Sequence, residues 1–400
     1  MSDRQAVWCL AFGQTFVWAG VFYIFPALII WWEADFGWSR SEITAALTFA
    51  VFASAIFSPI SGALIDRGLG SYTLPIGTFI GGLLVACLFF VNSLVLFYLI
   101  WTGLGVCMAF SLYEPCFSFV IKTKGLQAKR YITHITLVAG LAGTIAFPVV
   151  HFVSELAGWR AVTLVFVMLV SCVAAPLMWV GTRYLSQDPS AIQGVSEDHA
   201  KLKATRYSFL RWPKFWLVAA AFAFLIFSHT TLINHLLLIL NDRQFDPGTA
   251  VLAISFIGPM QVVGRLLIMI GGKYISDVVA VFLCFAFAFV AIICLMLSVY
   301  VPAFLILFII LHGSGNGVIS ILKPIISREI LGGDNFGLKS GVQAVPYLIG
   351  SAFAALIGSL LWNSGGYDLV LNVLLVVLFS GALSLALAVR LNRQTVKIDC

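Results

Sequence analysis

Charged residues are scarce in this 400-residue sequence. Lys and Arg together number 23 and Asp and Glu 17, so only 10% of the residues are charged, whereas 61% are hydrophobic and the mean hydropathy is +1.03. A soluble domain carries about a quarter charged residues. The small share of charged residues excludes a soluble protein and predicts an integral membrane protein. Its apolar runs of about 20 residues or more are then expected to cross the bilayer as helices.

Several chemical signatures are missing as well. The eight cysteines lie in apolar runs or, for Cys400, at the last position, and none has the spacing of a metal site. A disulfide framework and a metal centre are therefore not expected. Neither a nucleotide-binding loop nor a nucleophile–base signature is visible. The sequence predicts no enzyme, no cofactor and no ATP-driven pump acting by itself.

Twelve apolar spans are present instead. A long polar interruption follows the sixth span, and the other connections are mostly short. We therefore predict an all-α membrane protein of two pseudo-symmetric six-helix bundles, over 1–184 and 213–400, joined by a cytoplasmic central loop over 185–212. The approximate limits of the spans are 8–32, 41–65, 72–92, 94–121, 131–155, 161–182, 214–240, 248–271, 277–299, 302–327, 339–363 and 367–389.

The basic residues predict the orientation of these spans. With the N-terminus in the cytoplasm, most Lys and Arg fall on the inner side, and only Arg40, Arg160 and Arg243 fall outside. Short cytoplasmic loops are enriched in Lys and Arg, so both termini are expected in the cytoplasm. The net charge of +6 is then a feature of membrane topology and gives no reason to expect a nucleic-acid partner.

The two halves also show matching positions. Gly62 and Gly271 are 209 residues apart, the Gly103 and Gly313 motifs 210, and Gly158 and Gly366 208. Such an offset on either side of a central loop indicates parallel six-helix repeats, whose interface near the middle of the membrane is the expected substrate site.

Three charged residues lie inside apolar spans: Glu114, Arg265 and Lys323. A charge near the bilayer centre is costly unless it is paired or hydrated, and such residues are functional candidates. Glu114-Pro115 and Lys323-Pro324 are 209 residues apart, so the repeat makes them counterparts. We predict a Glu114–Lys323 charge pair or a proton-coupling site, the alternative being a permanent structural pair. Both prolines are expected to kink their helices.

The sequence around the end of the second span resembles a known family. The motif is similar to the loop between spans two and three of the major facilitator superfamily and reads Gly62-Ala-Leu-Ile-Asp66-Arg67-Gly68. Together with the twelve spans and the repeat, it makes the whole chain resemble that family. The resemblance implies that Gly62, Asp66 and Arg67 help to close the cytoplasmic side. The second half carries only a degenerate copy, Gly271-Gly272-Lys273.

Two further stretches resemble the bacterial monocarboxylate-transporter-like branch. Gly37-Trp-Ser-Arg40 is similar to the "GWSR" start of its second span, and Arg265 stands where that branch has a substrate-binding arginine. Gln261 replaces the branch's aspartate, and the branch's first-span lysine has no counterpart here. The resemblance implies a carboxylate gripped by Arg265 and a protein of the bacterial inner membrane.

Other polar and aromatic residues inside the spans are weaker candidates for the substrate site. Each has a competing interpretation as an ordinary helix-packing group, which the sequence leaves open. They are His229 and Asn234 in the seventh span, Gln14 and Trp18 in the first, Tyr113 beside Glu114, and His312 and Asn316 in the tenth.

The combined hypothesis is a secondary transporter for a small organic anion, a monocarboxylate by preference, working by alternating access and with protons as candidate coupling ions. Its expected partners are an anionic small molecule and the lipid bilayer, and a monomer is expected. The alternative is efflux of an amphipathic or aromatic compound, with Trp18 and phenylalanines as the cavity wall. A ligand sensor of the same fold would be expected to carry a long cytoplasmic domain, which the sequence lacks.

Overall fold

The computed structural model describes residues 2–187, 207–272 and 274–398. This part of the chain is almost entirely helical and contains no strand, which confirms the all-α prediction. Most of the predicted central loop, Lys273 and Cys400 lie outside the described residues. The α-helices are α1 (Asp3–Val17), α2 (Ile24–Phe36), α3 (Arg40–Leu64), α4 (Gly70–Cys87), α5 (Leu94–Ser111), α6 (Tyr113–Lys124), α7 (Ala128–Ala139), α8 (Ala142–Ala157), α9 (Trp159–Val167), α10 (Ala175–Ser186), α11 (Pro213–Asp242), α12 (Pro247–Gly271), α13 (Asp277–Leu297), α14 (Ala303–Leu331) and α15 (Phe336–Ile398).

Nine helical stretches within the described residues are long and apolar enough to cross a membrane. Three of them exceed 50 residues, whereas one crossing needs only about 20. All three contain glycines with non-helical backbone: Gly68 at φ +85° in Arg40–Phe90, Gly125 at φ +52° in Leu94–Ala157, and Gly365 and Gly366 in Phe336–Gln394. The chain is therefore a polytopic helical membrane protein, and the number twelve stays a prediction.

The chain forms two compact units. Unit 1 contains the described residues up to 187 together with Gly333–Val345, and unit 2 contains those from 207 to 332 together with the residues from Pro346 onward. The first turns of α15 thus pack with unit 1 although they follow unit 2 in sequence. The predicted domain limits stay a prediction.

The turn between α2 and α3 explains the Gly37–Glu42 motif. Gly37 ends α2 in the left-handed conformation at φ +67°, which glycine adopts without strain. Ser39 then caps α3: its hydroxyl accepts from the amide of Glu42, whose carboxylate accepts from the amide of Ser39 at 2.8 Å. Arg40 binds the carboxylate of Glu33 through two hydrogen bonds, at 2.7 and 2.8 Å. The motif is therefore a helix stop, a capping box and an ion pair in succession.

The fourth predicted span is interrupted just before Pro115. α5 ends at Ser111, Leu112 is extended at ψ −163°, and α6 begins at Tyr113. Proline has no amide hydrogen for the carbonyl four residues earlier, which here is that of Ser111. The side-chain amide of Gln14 donates to that carbonyl at 2.7 Å. Gln14 thus replaces the hydrogen bond that the proline removes.

The counterpart proline behaves differently. α14 runs from Ala303 to Leu331 without interruption, although Pro324 lies inside it. The repeat makes the two prolines counterparts in sequence, but the helix is broken in unit 1 and continuous in unit 2.

We expect Gln14→Leu to lower the thermal stability of the purified protein, because it leaves the buried carbonyl of Ser111 without a donor, at a cost of about 1–3 kcal/mol. The matched background is Pro115→Ala, which restores an amide hydrogen at position 115. In that background the loss caused by Gln14→Leu should be smaller. Equal losses in both backgrounds, measured as melting temperatures in the same detergent, would contradict this account of Gln14.

Candidate functional site

Glu114 lies in unit 1, one residue after the start of α6. Its side chain is half-buried, and the hydroxyl of Ser340 lies 3.5 Å from its Oε2. The residue borders a cavity of about 10 Å³, close to the volume that one water molecule needs. Ser58, Ser61 and Ser118 also line this cavity. The carboxyl group of Glu114 is thus set among hydroxyl groups inside the unit and does not face lipid.

Tyr113 directly precedes Glu114 and belongs to a cluster of three aromatic rings. The rings of Trp18 and Tyr113 lie 4.7 Å apart between centroids, and Tyr113 stacks on Phe117 at 4.8 Å. Trp18 begins a π-helical segment (Trp18–Tyr23), a distortion that is frequent at functional sites. Its indole Nε1 is buried and has no hydrogen-bond partner among the described residues. Trp18 therefore offers a donor, whereas Gln14, one turn earlier, is fully buried and bonded to the helix break.

The Gly62–Arg67 motif contacts the start of α15, within unit 1. The carboxylate of Asp66 accepts hydrogen bonds from the amides of Gly337 at 2.8 Å and Leu338 at 2.7 Å. These are two of the amides that a helix leaves unpaired at its N-terminus, where a negative charge is stabilised. The ammonium group of Lys122 donates to the carbonyls of Ile65, at 2.8 Å, and Asp66. Arg67 is exposed.

A glycine contact allows this approach. A methyl group added at Gly62 would overlap the backbone carbonyl of Gly337, and one at Gly337 would overlap the carbonyl of Gly62. Small residues at such positions permit close helix contact. The motif therefore makes a close backbone contact with the start of α15 and caps that helix end with a carboxylate.

Arg265 lies in unit 2, where α12 packs closely against α14. Gly264 contacts the backbone of Ser314, and Gly317 contacts the backbone of Gln261. Arg265 is buried, and its Nε donates to the carbonyl of Gly317 at 3.3 Å. Gln261 contributes its backbone to this contact, and its side chain is half-buried one helical turn before Arg265.

Lys323 is buried in the same unit, about 9 Å along α14 from Gly317 at the helical rise. Its ammonium group lies 3.8 Å from the ring centroid of Tyr347, the geometry of a cation–π contact. The predicted partner, Glu114, belongs to the other unit, so the Glu114–Lys323 pair stays a prediction.

Sequence reasoning missed Lys339. It lies in unit 1 near the start of α15, and only 5% of its surface is exposed. Four charged residues are buried in the described part of the chain: Lys124, Arg265, Lys323 and Lys339. All four are cations. Lys124 binds the carboxylate of Asp3 at 2.7 Å.

His229 belongs to a chain of three polar side chains in unit 2. Its Nδ1 lies 3.0 Å from Nε2 of His312, and its Nε2 lies 3.1 Å from Nδ2 of Asn316. Nδ1 of His312 is buried and has no hydrogen-bond partner among the described residues. If Asn316 donates, each imidazole carries its proton on Nδ1; if the Asn316 amide is reversed, each carries it on Nε2. This series of hydrogen bonds therefore has two alternative tautomeric patterns.

The neighbouring polar residues in α11 make other contacts. Asn234 is exposed and donates to the carbonyl of Thr230 one turn earlier, at 2.8 Å. His235 is buried, with Nε2 3.1 Å from the carbonyl of Ala355. His235 is thus a helix-packing group between α11 and α15. No group of three or more His, Cys, Asp or Glu side chains in the described part of the chain is placed to hold a metal ion.

Comparison with known proteins gives a family and a fold. A family model described as Major Facilitator Superfamily matches residues 10–301. The structure is similar to the crystal structure of a bacterial homologue of the iron transporter ferroportin in its outward-facing state, with a TM-score of 0.74, over 97% of this chain and 99% of that one. The two sequences are 13% identical, so the likeness shows the fold alone. No protein of curated function matches the sequence.

We expect Gly62→Ala to lower the melting temperature, because its methyl group meets the backbone of Gly337 and overpacking typically costs about 1–3 kcal/mol. Gly271→Ala is the matched control, since it lies at the equivalent position of the second half and an added methyl group there meets nothing within 4 Å. That variant should be neutral or slightly stabilising. Equal effects of the two substitutions would contradict the tight contact at Gly62.

Proposed function

Since the chain belongs to the major facilitator superfamily and has the fold of a secondary transporter, we propose that its substrate is a small organic anion, preferably a monocarboxylate. Transport proceeds by alternating access, with the substrate bound near the middle of the membrane. Protons are the proposed coupling ions. Both termini lie in the cytoplasm of a bacterial cell, and the transporter works as a monomer.

The sign of the buried charges carries this proposal. All four buried charged residues in the described part of the chain are cations, while Glu114 is half-buried. A buried cation is costly unless negative charge or hydrogen-bond acceptors compensate it. An anionic substrate adds compensation that a neutral or cationic compound does not.

Arg265 is the proposed carboxylate ligand, because a guanidinium group matches a carboxylate through two parallel hydrogen bonds. Its Nε already bonds to Gly317, so that the guanidinium plane is held by α14. Lys323 acts as a second positive charge, positioned by the ring of Tyr347. Gln261, one turn from Arg265, is the proposed neutral hydrogen-bonding neighbour.

Efflux of an aromatic or amphipathic compound is the second candidate. The Trp18–Tyr113–Phe117 stack and the buried indole donor of Trp18 favour it. A substrate of this class would depend on Trp18 and tolerate the loss of Arg265.

We expect Arg265→Ala to abolish the stabilisation of the purified protein by carboxylates. Loss of one partner of a buried, hydrogen-bonded charge pair costs about 2 kcal/mol or more, which is at least about a thirtyfold loss of affinity. Arg265→Lys keeps the charge and should retain part of the effect. The measurement is the shift in melting temperature that each ligand produces, since stabilisation follows affinity.

Arg4→Ala, which removes an exposed arginine, is the control and should leave the ligand-induced shift unchanged. An unchanged carboxylate shift in Arg265→Ala would sink the role of this arginine. A shift produced by aromatic compounds and lost in Trp18→Ala would favour the efflux function.

We expect Glu114→Gln to remove the stimulation of uptake by an inward proton gradient while leaving substrate exchange at equal pH intact, because an amide cannot carry the coupled proton. Ser340→Ala removes the neighbouring hydroxyl but keeps the carboxyl group, and it should retain the stimulation. The assay is uptake into proteoliposomes with and without the gradient. Full stimulation in Glu114→Gln, together with its loss in His229→Gln, would move the coupling role to the histidine chain.

A further inference from the structure

A groove on unit 2 lies outside the candidate substrate site. It is an open cavity of about 490 Å³ between the start of α13 and the end of α15. We call it the arginine groove and define it by its lining residues, Val278, Phe282, Ala386, Val389, Arg390, Arg393 and Gln394.

The lining changes from apolar to cationic along the helix axis. On α15 the contributing positions recur every three or four residues, so they share one face of the helix. Ala386 lies at one end of this face and Gln394 at the other, about 12 Å apart at the helical rise, with Arg393 beside Gln394. Phe282 adds an apolar wall from α13. The groove therefore has an apolar floor and a cationic rim.

The groove opens onto an apolar outer surface. On α13, Val279 is 49% and Leu283 41% exposed; on α15, Leu383 is 51% and Leu387 42% exposed. Side chains of this kind on a membrane helix face acyl chains. An occupant can therefore enter sideways from the lipid, with its apolar part on the floor and its polar part at the rim.

The two arginines of the rim are available to such an occupant. Arg390 and Arg393 are exposed, and neither makes a hydrogen bond or ion pair within the described part of the chain. Asp277, in the first turn of α13, lies beside the groove but does not line the cavity. The amino end of that helix also favours a negative charge.

The other half of the chain provides an internal contrast. Near the end of α10, the guanidinium group of Arg183 donates to the hydroxyl of Tyr72 at 2.9 Å and lies 5.3 Å from the ring centroid of Trp179. There the arginine has protein partners and aromatic side chains fill the space beside it. In unit 2 the corresponding end of α15 carries two arginines beside an open groove.

We propose that the arginine groove binds an anionic phospholipid, with the headgroup phosphate on Arg390 and Arg393 and the upper part of an acyl chain against Ala386, Val389 and Phe282. Basic pockets between membrane helices are suited to anionic headgroups, and arginine pairs well with phosphate. The volume fits a headgroup with part of one chain. The site is separate from Arg265, so it does not depend on the proposed transport substrate.

The test is lipid binding to the purified, delipidated full chain, measured by native mass spectrometry and by melting temperature. Phosphatidylglycerol and cardiolipin should bind and stabilise the wild-type protein, while phosphatidylcholine and glycerol phosphate should have little effect. Arg390→Gln with Arg393→Gln should weaken binding of the anionic lipids about thirtyfold, from the contribution of two arginines near an anionic surface.

Two further variants complete the design. Ala386→Trp fills the apolar floor without removing either arginine, and it should also reduce lipid binding. Arg4→Gln with Arg211→Gln removes two exposed arginines elsewhere and should leave binding unchanged. Equal binding of phosphatidylcholine, full stabilisation by glycerol phosphate, or unchanged binding in the double variant at Arg390 and Arg393 would each overturn the proposal.

Discussion

The structure depends on one constraint: a backbone carbonyl or amide that loses its helical partner inside a membrane must find another, because no water is available to replace it. Two contacts answer this constraint. Gln14 donates to the carbonyl that Pro115 leaves unpaired, and Asp66 accepts from amides in the first turn of α15. Arg265 is likewise held by a neighbouring backbone, since its Nε donates to the carbonyl of Gly317. In each case a polar side chain of the candidate site is held in place by the backbone of a neighbouring helix. Structural and functional roles are therefore combined in the same residues.

The charges follow the same logic. Buried cations are tolerated where carbonyl groups, aromatic faces or carboxylates surround them, and Lys323 beside Tyr347 and Lys124 beside Asp3 are examples. These contacts differ in strength and in specificity. A cation–π contact leaves a positive field around the ammonium group, whereas an ion pair with Asp3 neutralises it.

Much of the fold could be predicted from sequence because hydrophobic length and the bias of basic residues act over whole helices. The family and the all-α fold follow from the spans, the repeat and the Gly62–Arg67 motif. Individual side chains were less predictable. The position of Lys339 close to a span end did not predict that it is buried, because burial depends on the neighbouring helices. His312 and Asn316 were weak candidates singly, and only the packing of α11 against α14 joins them to His229. Gln14 was a weak candidate for the substrate site or for helix packing, and its contact is with a backbone carbonyl 97 residues away.

The break in the fourth span has a mechanical consequence. In α14 the helix continues past Pro324, which removes only the hydrogen bond to the carbonyl of Ser320. Between α5 and α6 the helix itself is broken at the extended Leu112, whose amide donates to Met108 and whose carbonyl accepts from Cys116. The side-chain amide of Gln14 binds the carbonyl of Ser111 beside this break. The two halves, which the repeat makes counterparts in sequence, therefore differ in mechanical terms: bending is easier at the break in unit 1 than along the continuous helix in unit 2.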